Sequence, residues 1–383
     1  MEKKKLAIVT THPIQYQVPL FKKITYLNKF EADVYFASKQ GLRSKYIDKE
    51  FKKKINWNID LTSGYKYFFS KENNNDINNF FLSFKNLKEN LFKKKYDAIL
   101  LLGWNNILYL KSFILARIYN TPIILRVETN SKNKINFFKK IIKNIILSFF
   151  FKYIDYFLYI GKSNREFFLE LGVDKKKLFA APYSVDNSFF ANKKDIKNTV
   201  NKRFKKKIIL FVGKFISRKN GKEFLNLAFL FKNFNEYKFV MIGEGNEKKS
   251  YFAYIKKNKL ENVKILGFKN QKELREIYRE AFLLIVPSKY ETWGLVINEA
   301  MASDLPVICT SNCSGSRDLI KNGSNGFIYN LKDLNFLKNL IIKVSTNKKK
   351  YLILIKNIRT HIKSFSFIKT IESLNKILND KKL

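Results

Sequence analysis

The stretch VPSKYETWGLVINEAMASDLPVIC, from Val286 to Cys309, joins an apolar segment to a loop, a helix pattern and a second apolar segment. The loop carries Glu291, Gly294 stands where the helix pattern begins, and Glu299 lies about one turn inside that helix. Amides in the first turn of a helix attract phosphate, and a carboxylate accepts hydrogen bonds from paired hydroxyls. The stretch therefore predicts a pocket for a phosphorylated, hydroxyl-rich ligand. An ordinary strand, loop and helix with two solvent-facing glutamates is the alternative.

Short apolar segments alternate with longer amphipathic segments along the rest of the chain, a pattern that is typical of parallel sheets covered on both faces. The predicted strands are Leu6 to Thr10, Asp33 to Ala37, Ala98 to Leu102, Pro122 to Val127, Tyr156 to Ile160, Ile208 to Val212, Phe239 to Ile242, Val263 to Leu266, Ala281 to Val286 and Leu305 to Cys309. A chain of 383 residues has room for two such domains. We predict an α/β fold of two doubly wound, Rossmann-like domains.

The predicted domain boundaries follow from composition. Residues 1–186 form the first domain and residues 187–360 the second, with the polar, lysine-rich segment Asn187 to Lys207 as a linker at the start of the second. Residues 361–383 contain apolar residues at helical spacing from Phe365 to Leu378, which predicts a final helix.

A second strand, turn and helix pattern is IILFVGKFISRKNGKEFLNLA, from Ile208 to Ala228. Gly213 forms its turn, and Lys214, Arg218 and Lys219 precede a helix that begins near Gly221. Cations beside a helix start are unfavourable for the helix dipole, so a bound anion would explain them. A solvated basic loop is the alternative reading.

These two segments resemble family 4 glycosyltransferases, retaining enzymes with the GT-B fold. Lys214 stands where the family usually has Arg, and Tyr183 and Ser184 stand where it has Asn and Gly. Further segments that carry the resemblance are APYSVDNSFF (181–190), MIGEGNE (241–247), LGF (266–268) and GSRDLIKNGSNGFIY (315–329). The resemblance implies two parallel sheets facing one cleft, and a last helix that crosses back to the first domain.

The resemblance also implies a donor site for a nucleotide diphosphate sugar. It assigns the ribose hydroxyls to Glu299, the donor-sugar hydroxyls to Glu291, and the diphosphate to Lys214, Lys219 and the amides near Gly294 and Leu295. The remaining residues assigned to this nucleotide-binding site are Gly213, Arg218, Glu244 and Phe268, of which Phe268 marks the segment near the base.

The predicted chemistry is transfer of the sugar, with stabilisation of the leaving phosphate as the main catalytic effect. Glu291 and Glu299 approach from one wall, whereas glycosidase carboxylates flank a bond from opposing sides. The chain has no Asp-X-Asp triplet, so we expect lysines to replace a metal ion and no cofactor besides the donor.

The first domain carries candidate acceptor residues after its predicted strands. His12, in THPIQY, could polarise or bind a hydroxyl, with a structural role as the alternative. Trp104 follows the third strand, and Arg126 and Glu128 end the fourth. A buried charge is costly without a partner, so the last two either pair with neighbours or line the acceptor side. We expect the acceptor to be a glycan or a lipid-linked glycan in bacterial surface polysaccharide synthesis.

The formal charge of +42 would suggest a nucleic-acid partner, but the lysines are spread throughout and no nucleic-acid module is recognisable. The segment 132–152 alternates lysines with Ile and Phe, which indicates either a core helix with charged edges or a helix on an anionic membrane. The apolar runs are too short for an export signal or a membrane span. We expect a cytoplasmic protein with reduced Cys309 and Cys313, which the second interpretation of segment 132–152 would place on the inner membrane face.

Three other functions stay open at this point. An inverting transferase would need a general base, for which only His12 or Glu128 offers itself. A nucleotide-sugar epimerase would use the same fold for other chemistry. A non-catalytic basic protein that binds membrane or polyanions would be insensitive to loss of Glu291 and Glu299.

Overall fold

The computed structural model describes residues 2–39, 42, 47–48, 53–54, 60–70, 85–129, 137–192 and 194–380. It divides into two compact units. The first comprises residues 1–46, 55–183 and 367–383, and the second comprises residues 47–54 and 184–366. The units therefore divide at 183/184 and 366/367, where the sequence predicted 186/187 and 360/361.

The first unit is built on a parallel sheet with the strand order β5-β2-β1-β6-β7-β8-β9 in the described residues. The strands up to β9 are β1 (Lys5–Thr10), β2 (Glu31–Phe36), β3 (Ile47–Asp48), β4 (Lys53–Lys54), β5 (Lys66–Phe69), β6 (Ala98–Leu101), β7 (Ile123–Arg126), β8 (Tyr156–Tyr159) and β9 (Leu178–Ala180). Strands β3 and β4 form a separate short antiparallel pair. All five strands predicted in this half are present.

Helices cover both faces of the first sheet. They are α1 (Val18–Leu27), α2 (Lys85–Phe92), α3 (Ile107–Ile118), α4 (Phe137–Lys152) and α5 (Lys162–Glu170). Successive residues of β1 enter two different apolar clusters, Leu6 and Ile8 one and Ala7 and Val9 the other. This division is what a strand buried on both faces requires.

The second unit has a parallel sheet with the strand order β12-β11-β10-β13-β14-β15 in the described residues. The strands are β10 (Lys207–Val212), β11 (Tyr237–Ile242), β12 (Val263–Ile265), β13 (Leu283–Val286), β14 (Val307–Thr310) and β15 (Gly326–Tyr329). The first five are predicted by their apolar runs. The short edge strand β15 is not.

The helices after α5 are α6 (Asn187–Phe190), α7 (Ile196–Lys205), α8 (Gly221–Leu230), α9 (Lys248–Lys257), α10 (Gln271–Glu280), α11 (Leu295–Ala302), α12 (Ser316–Leu319), α13 (Leu334–Ser345), α14 (Lys348–Ile362) and α15 (Phe367–Leu378). The last of these, α15, belongs to the first unit, where Ile371, Leu374 and Ile377 join the cluster of Leu6 and Ile8. In the described ranges no helix is both long enough and apolar enough to cross a membrane.

The linker prediction for Asn187 to Lys207 is wrong. Most of this segment is α6 and α7, and Thr199, Val200 and Arg203 of α7 are buried in the second unit. The polar composition concealed the helix because Val200 is the one aliphatic side chain among the three buried residues of α7. Asp195 caps its first turn by accepting a hydrogen bond from the amide of Asn198.

Candidate active site

The candidate donor site lies where the strand order of the second sheet reverses. Strands β10 and β13 are neighbours, and the chain proceeds from β10 towards one sheet edge and from β13 towards the other. Their carboxyl ends lead into the loops 213–220 and 287–294. Doubly wound sheets bind ligands at such a reversal, because the two loops diverge and leave a crevice.

The two loops meet in a cluster of one carboxylate and two cations. Glu291 is 7% exposed, and its carboxylate pairs with Lys219 through Oε2 and with Arg218 through Oε1, the latter at 3.2 Å. Ser288 Oγ lies 3.5 Å from the same carboxylate. Lys219 is mostly buried, whereas Arg218 is more than a third exposed. The sequence placed all three in one site, and the structure brings them into direct contact.

Backbone contacts hold the basic loop against the loop after β11. The amide of Phe215 donates to the carbonyl of Glu244 at 2.8 Å, and a Cβ on Gly243, which has φ +151°, would overlap the carbonyl oxygen of Gly213. Asn220 Nδ2 also donates to the carbonyl of Pro287 at 3.1 Å, which joins the two loops of the crevice. The close approach of the basic loop to the loop after β11 therefore requires a glycine at position 243.

Gly294 immediately precedes the first residue of α11, Leu295. Its φ of +96° is in the left-handed region that favours glycine. A Cβ there would lie 3.0 Å from Cys313 Sγ and 3.4 Å from Glu291 Cγ. The conformation lets the chain turn from the Glu291 loop into the helix, as the sequence pattern predicted.

Glu299 is half-buried on α11 and has a partner that the sequence did not reveal. Tyr278, fully buried on α10, donates its hydroxyl to Glu299 Oε2 at 2.8 Å. Burial raises the pKa of Glu299 to about 7, and the hydrogen bond from Tyr278 opposes that rise. Glu299 is therefore poised to change its charge near neutral pH.

The other residues predicted for this site lie on neighbouring loops. Glu244 follows β11, is buried and pairs with Lys248 Nζ at 2.8 Å. Phe268 follows β12 and is half-buried, as is Lys214 after β10. All three stand beyond the carboxyl ends of adjacent strands, on the same side of the sheet as Glu291.

Arg203 of α7 supports the site although the sequence analysis did not single it out. Its guanidinium is fully buried and donates to the carbonyls of Tyr278 and Arg279 at the end of α10, and of Ser303 and Asp304 after α11. A cation is favoured at helix C-termini. Arg203 thus ties together the two helices that carry Tyr278 and Glu299.

The candidate acceptor residues lie beyond the carboxyl ends of β1, β6 and β7 in the first unit. The strand order of this sheet reverses between β1 and β6. His12 follows β1 and Trp104 follows β6. Arg126 is the last residue of β7, and Glu128 lies two residues beyond it. The first sheet therefore brings all four predicted residues to its own reversal point.

Contacts among these residues form a partly buried polar cluster. Trp104 Nε1 donates to Thr129 Oγ1 at 3.2 Å, and the hydroxyl of Tyr183 donates to Glu128 Oε1. The Arg126 guanidinium stacks on the Tyr183 ring with a centroid distance of 5.0 Å. Tyr183, which stands at a departure from the family pattern, thus links the two charged residues.

Burial changes the pKa values of two basic residues in this cluster, Arg126 and His12. Burial lowers the pKa of Arg126 to about 10, which Glu128 counteracts, so the guanidinium stays charged at neutral pH. Burial also lowers the pKa of His12, whose Nδ1 lies 3.0 Å from Thr11 Oγ1. Among the described residues, buried Arg126 Nε and Gln15 Oε1 have no hydrogen-bond partner.

Cys309 and Cys313 are free, buried thiols, and burial raises the pKa of Cys313 to about 12. Over the described ranges, no group of three or more His, Cys, Asp and Glu side chains could hold a metal ion.

The family model described as "Glycosyl transferases group 1" matches residues 192–361, which contain the loops, Glu291 and Glu299. Over this segment the chain is similar to that family. An uncharacterized glycosyltransferase of Methanocaldococcus jannaschii is 32% identical over 171 residues, covering 45% of this chain and 47% of that protein. An Escherichia coli UDP-Gal:alpha-D-GlcNAc-diphosphoundecaprenol alpha-1,3-galactosyltransferase is 29% identical over 222 residues, covering 55% and 56%. The chain spans about half the length of these two relatives.

Two solved structures share the fold of this chain along almost its whole length. The Anabaena protein HepE, crystallised with UDP and glucose, aligns with a TM-score of 0.71 at 14% identity, over 98% of this chain and 99% of that one. A glycosyltransferase from Rickettsia africae aligns with a TM-score of 0.71 at 15% identity, over 99% of both chains. The two parallel-sheet units and these neighbours confirm the predicted GT-B fold.

Proposed function

We propose that the chain is a retaining glycosyltransferase that moves a sugar from a nucleotide diphosphate sugar to a glycan or lipid-linked glycan. The observation that carries the proposal is the buried contact of Glu291 with Lys219 and Arg218 at the strand reversal of the segment that is similar to the group 1 family. The E. coli relative, named for transfer from UDP-Gal to a diphosphoundecaprenol-linked sugar, supports the acceptor class. We place the reaction in surface polysaccharide synthesis.

The second unit would bind the donor through residues that already hold one another. Lys214, Lys219 and Arg218 neutralise the diphosphate, and the amides that begin α11 at Leu295 add their dipole. Glu299 accepts hydrogen bonds from the ribose hydroxyls, and the loops of Glu244 and Phe268 border the base. Glu291 accepts hydrogen bonds from the donor sugar while its contacts with Lys219 and Arg218 hold its carboxylate in place.

Catalysis would follow from stabilising the leaving diphosphate. As the bond between the sugar and the phosphate oxygen lengthens, negative charge grows on that oxygen beside cations that are fixed in place by Glu291. The acceptor hydroxyl attacks on the face that the phosphate is vacating, and a phosphate oxygen takes its proton. The lysines supply the positive charge that a metal ion supplies elsewhere, so we propose that no metal is needed.

The acceptor would bind at the reversal point of the first sheet. Arg126 and Gln15 each bury a polar atom without a hydrogen-bond partner among the described residues, and a polyhydroxyl ligand has donors and acceptors to satisfy both. Trp104 offers an aromatic face against which a sugar ring can pack. Neutral His12 can accept or donate a hydrogen bond, and Glu128 can orient a hydroxyl.

A thermal-shift screen of the full chain against UDP, GDP and their common sugar conjugates tests the donor proposal. One nucleotide should raise the melting temperature, because a ligand that binds only the folded state stabilises it by about 2.7 kcal/mol at a hundred times its Kd. With that donor, transfer should persist in EDTA, and proton NMR should show retained anomeric configuration. An inverted product would indicate other chemistry on the same fold, and no shift with any nucleotide would refute donor binding.

The charge of Glu299 predicts a pH dependence of nucleotide binding. Because burial raises its pKa to about 7, the carboxylate that accepts ribose hydrogen bonds forms as the pH rises through neutrality. Affinity measured by calorimetry should therefore increase from about pH 6 to about pH 8. Tyr278→Phe removes a hydrogen bond that lowers this pKa, so the rise should move to higher pH.

Glu299→Gln is the matched control for the pH experiment. The amide does not titrate, so any pH dependence that remains belongs to the nucleotide phosphates and can be subtracted. Identical pH profiles for the wild type, Tyr278→Phe and Glu299→Gln would contradict the role of Glu299.

A further inference from the structure

Exposed apolar side chains are concentrated on one part of the first unit. Among the described residues, seventeen large apolar side chains are more than a third exposed, and ten of these lie between Phe92 and Tyr153. We call the ten the α3–α4 surface: Phe92, Leu110, Ile114, Ile118, Ile141, Ile142, Ile145, Ile146, Phe149 and Tyr153. Scattered exposed apolar residues are ordinary, but a concentration of this kind marks an interaction site.

The exposed residues of α4 share one helical face. They recur three to four residues apart from Ile141 to Tyr153, and Ile145 is 65% exposed. The opposite face contributes Leu147 and Phe151 to the core of the unit. The helix is therefore apolar on both faces, which is unusual for a helix at the surface of a globular protein.

Helix α3 extends the same surface. Leu110, Ile114 and Ile118 are exposed at intervals of four residues. The two helices are in contact, because the rings of Phe113 and Phe150 have centroids 4.7 Å apart and Arg117 pairs with Asp155 just beyond α4 at 3.2 Å. The exposed residues thus belong to one region built from two packed helices.

The charged residues of α3 and α4 are all positive. Neither α3 nor α4 contains an Asp or a Glu, whereas α4 alone carries four lysines. Exposed Lys93, Lys94 and Lys95 follow Phe92, whose ring lies 5.9 Å from that of Tyr119 at the end of α3. The two helices of the α3–α4 surface therefore combine exposed apolar side chains with basic residues and contain no acidic residue.

We propose that the α3–α4 surface binds an anionic lipid bilayer and lies in its interface. Ile and Phe side chains insert among the acyl chains while the flanking lysines contact anionic headgroups. A second copy of the chain is disfavoured as the occupant because each copy carries +42. At about 1.5 Å per residue, the 16-residue α4 is about 24 Å long, too short to span a core of about 30 Å.

The sequence prediction of a membrane segment at 132–152 overlaps this proposal only in part. Residues 132–136 lie outside the described residues, and α3 was not expected to take part. What this surface implies about the acceptor rests on the proposed function. An enzyme that is held on a bilayer meets lipid-linked sugars there, so the acceptor would be a lipid-linked glycan. Membrane binding itself does not depend on the donor assignment.

Vesicle flotation of the full chain tests the proposal. We expect binding to vesicles of equal parts phosphatidylglycerol and phosphatidylcholine, much weaker binding to phosphatidylcholine alone, and loss of affinity in high salt. Ile145→Glu with Phe149→Glu should weaken binding about a hundred-fold, because two apolar insertions are lost and two negative charges face the headgroups. Nucleotide binding and the melting temperature of this variant should match the wild type.

The matched control is Phe336→Glu with Ile353→Glu, which changes the same charge at residues 47% and 55% exposed in the second unit. It should bind anionic vesicles nearly as well as the wild type. Equal weakening of both variants would show attraction by general basic charge and overturn the proposal. A lipid-independent dimer that only Ile145→Glu with Phe149→Glu dissociates would make a second copy the occupant. Vesicle binding without nucleotide binding would leave this inference intact and remove the proposed function.

Discussion

Replacing Glu291 by Gln should lower the turnover of sugar transfer about a thousand-fold. The buried carboxylate pairs with Lys219 and Arg218, and the neutral amide would neither fix these cations nor accept strong hydrogen bonds from the donor sugar. The affinity for the free nucleotide diphosphate should stay the same or increase, because the two cations become available to phosphate. Turnover and nucleotide affinity are measured on the same preparation.

Glu276→Gln is the matched control for Glu291→Gln. Glu276 is an exposed carboxylate on α10 that pairs with Arg275 and Arg279. Exposed pairs contribute little, so this variant should transfer sugar at close to the wild-type rate. Equal losses of turnover and nucleotide affinity in Glu291→Gln would instead mean that the residue only maintains the fold of the loop.

Replacing Arg203 by Met should lower the free energy of unfolding of the second unit by about 4 kcal/mol. The substitution leaves four backbone carbonyls at the ends of α10 and α11, three of them in buried contacts, without this donor. Urea unfolding followed by circular dichroism gives the loss, and hydrogen exchange should show the earliest opening in α10 and α11. Because these helices carry Tyr278 and Glu299, nucleotide affinity should fall as well.

Arg275→Met provides the comparison for Arg203→Met. Arg275 lies on the exposed side of α10, pairs with Glu276 and contacts the ring of Phe189. Its loss should cost no more than about 1 kcal/mol. A similarly small loss for Arg203→Met would mean that water or a shifted side chain replaces the missing donors.

The apolar strands and their order along the chain were predictable because strand formation depends on local sequence. Ten continuous apolar runs predicted ten strands, and all are present among the described residues. The edge strand β15 escaped notice because its sequence, GFIY, is short and begins with a glycine. Helix α7 escaped because its buried face is centred on Thr199 and Arg203, not on aliphatic residues.

The donor-site residues were likewise suggested by motifs, although their assigned roles stay predictions. Glycine, cation and carboxylate spacings are local, so Gly294, Lys219 and Glu291 could be selected from the chain. Tyr278 could not, since nothing in the spacing of α10 indicates that its hydroxyl reaches Glu299. Arg203 gave no signal either, because its partners are backbone carbonyls between 75 and 101 residues away.

By itself, the sequence determined two parallel sheets and the loops that carry charge beyond their strands, because apolar periodicity and turn chemistry act over a few residues. Only the tertiary structure decided which charges touch, which carboxyl group has its pKa raised, and which apolar faces stay exposed. Those properties depend on strand order and helix packing, which bring together residues that are remote in the chain and set the burial of each one.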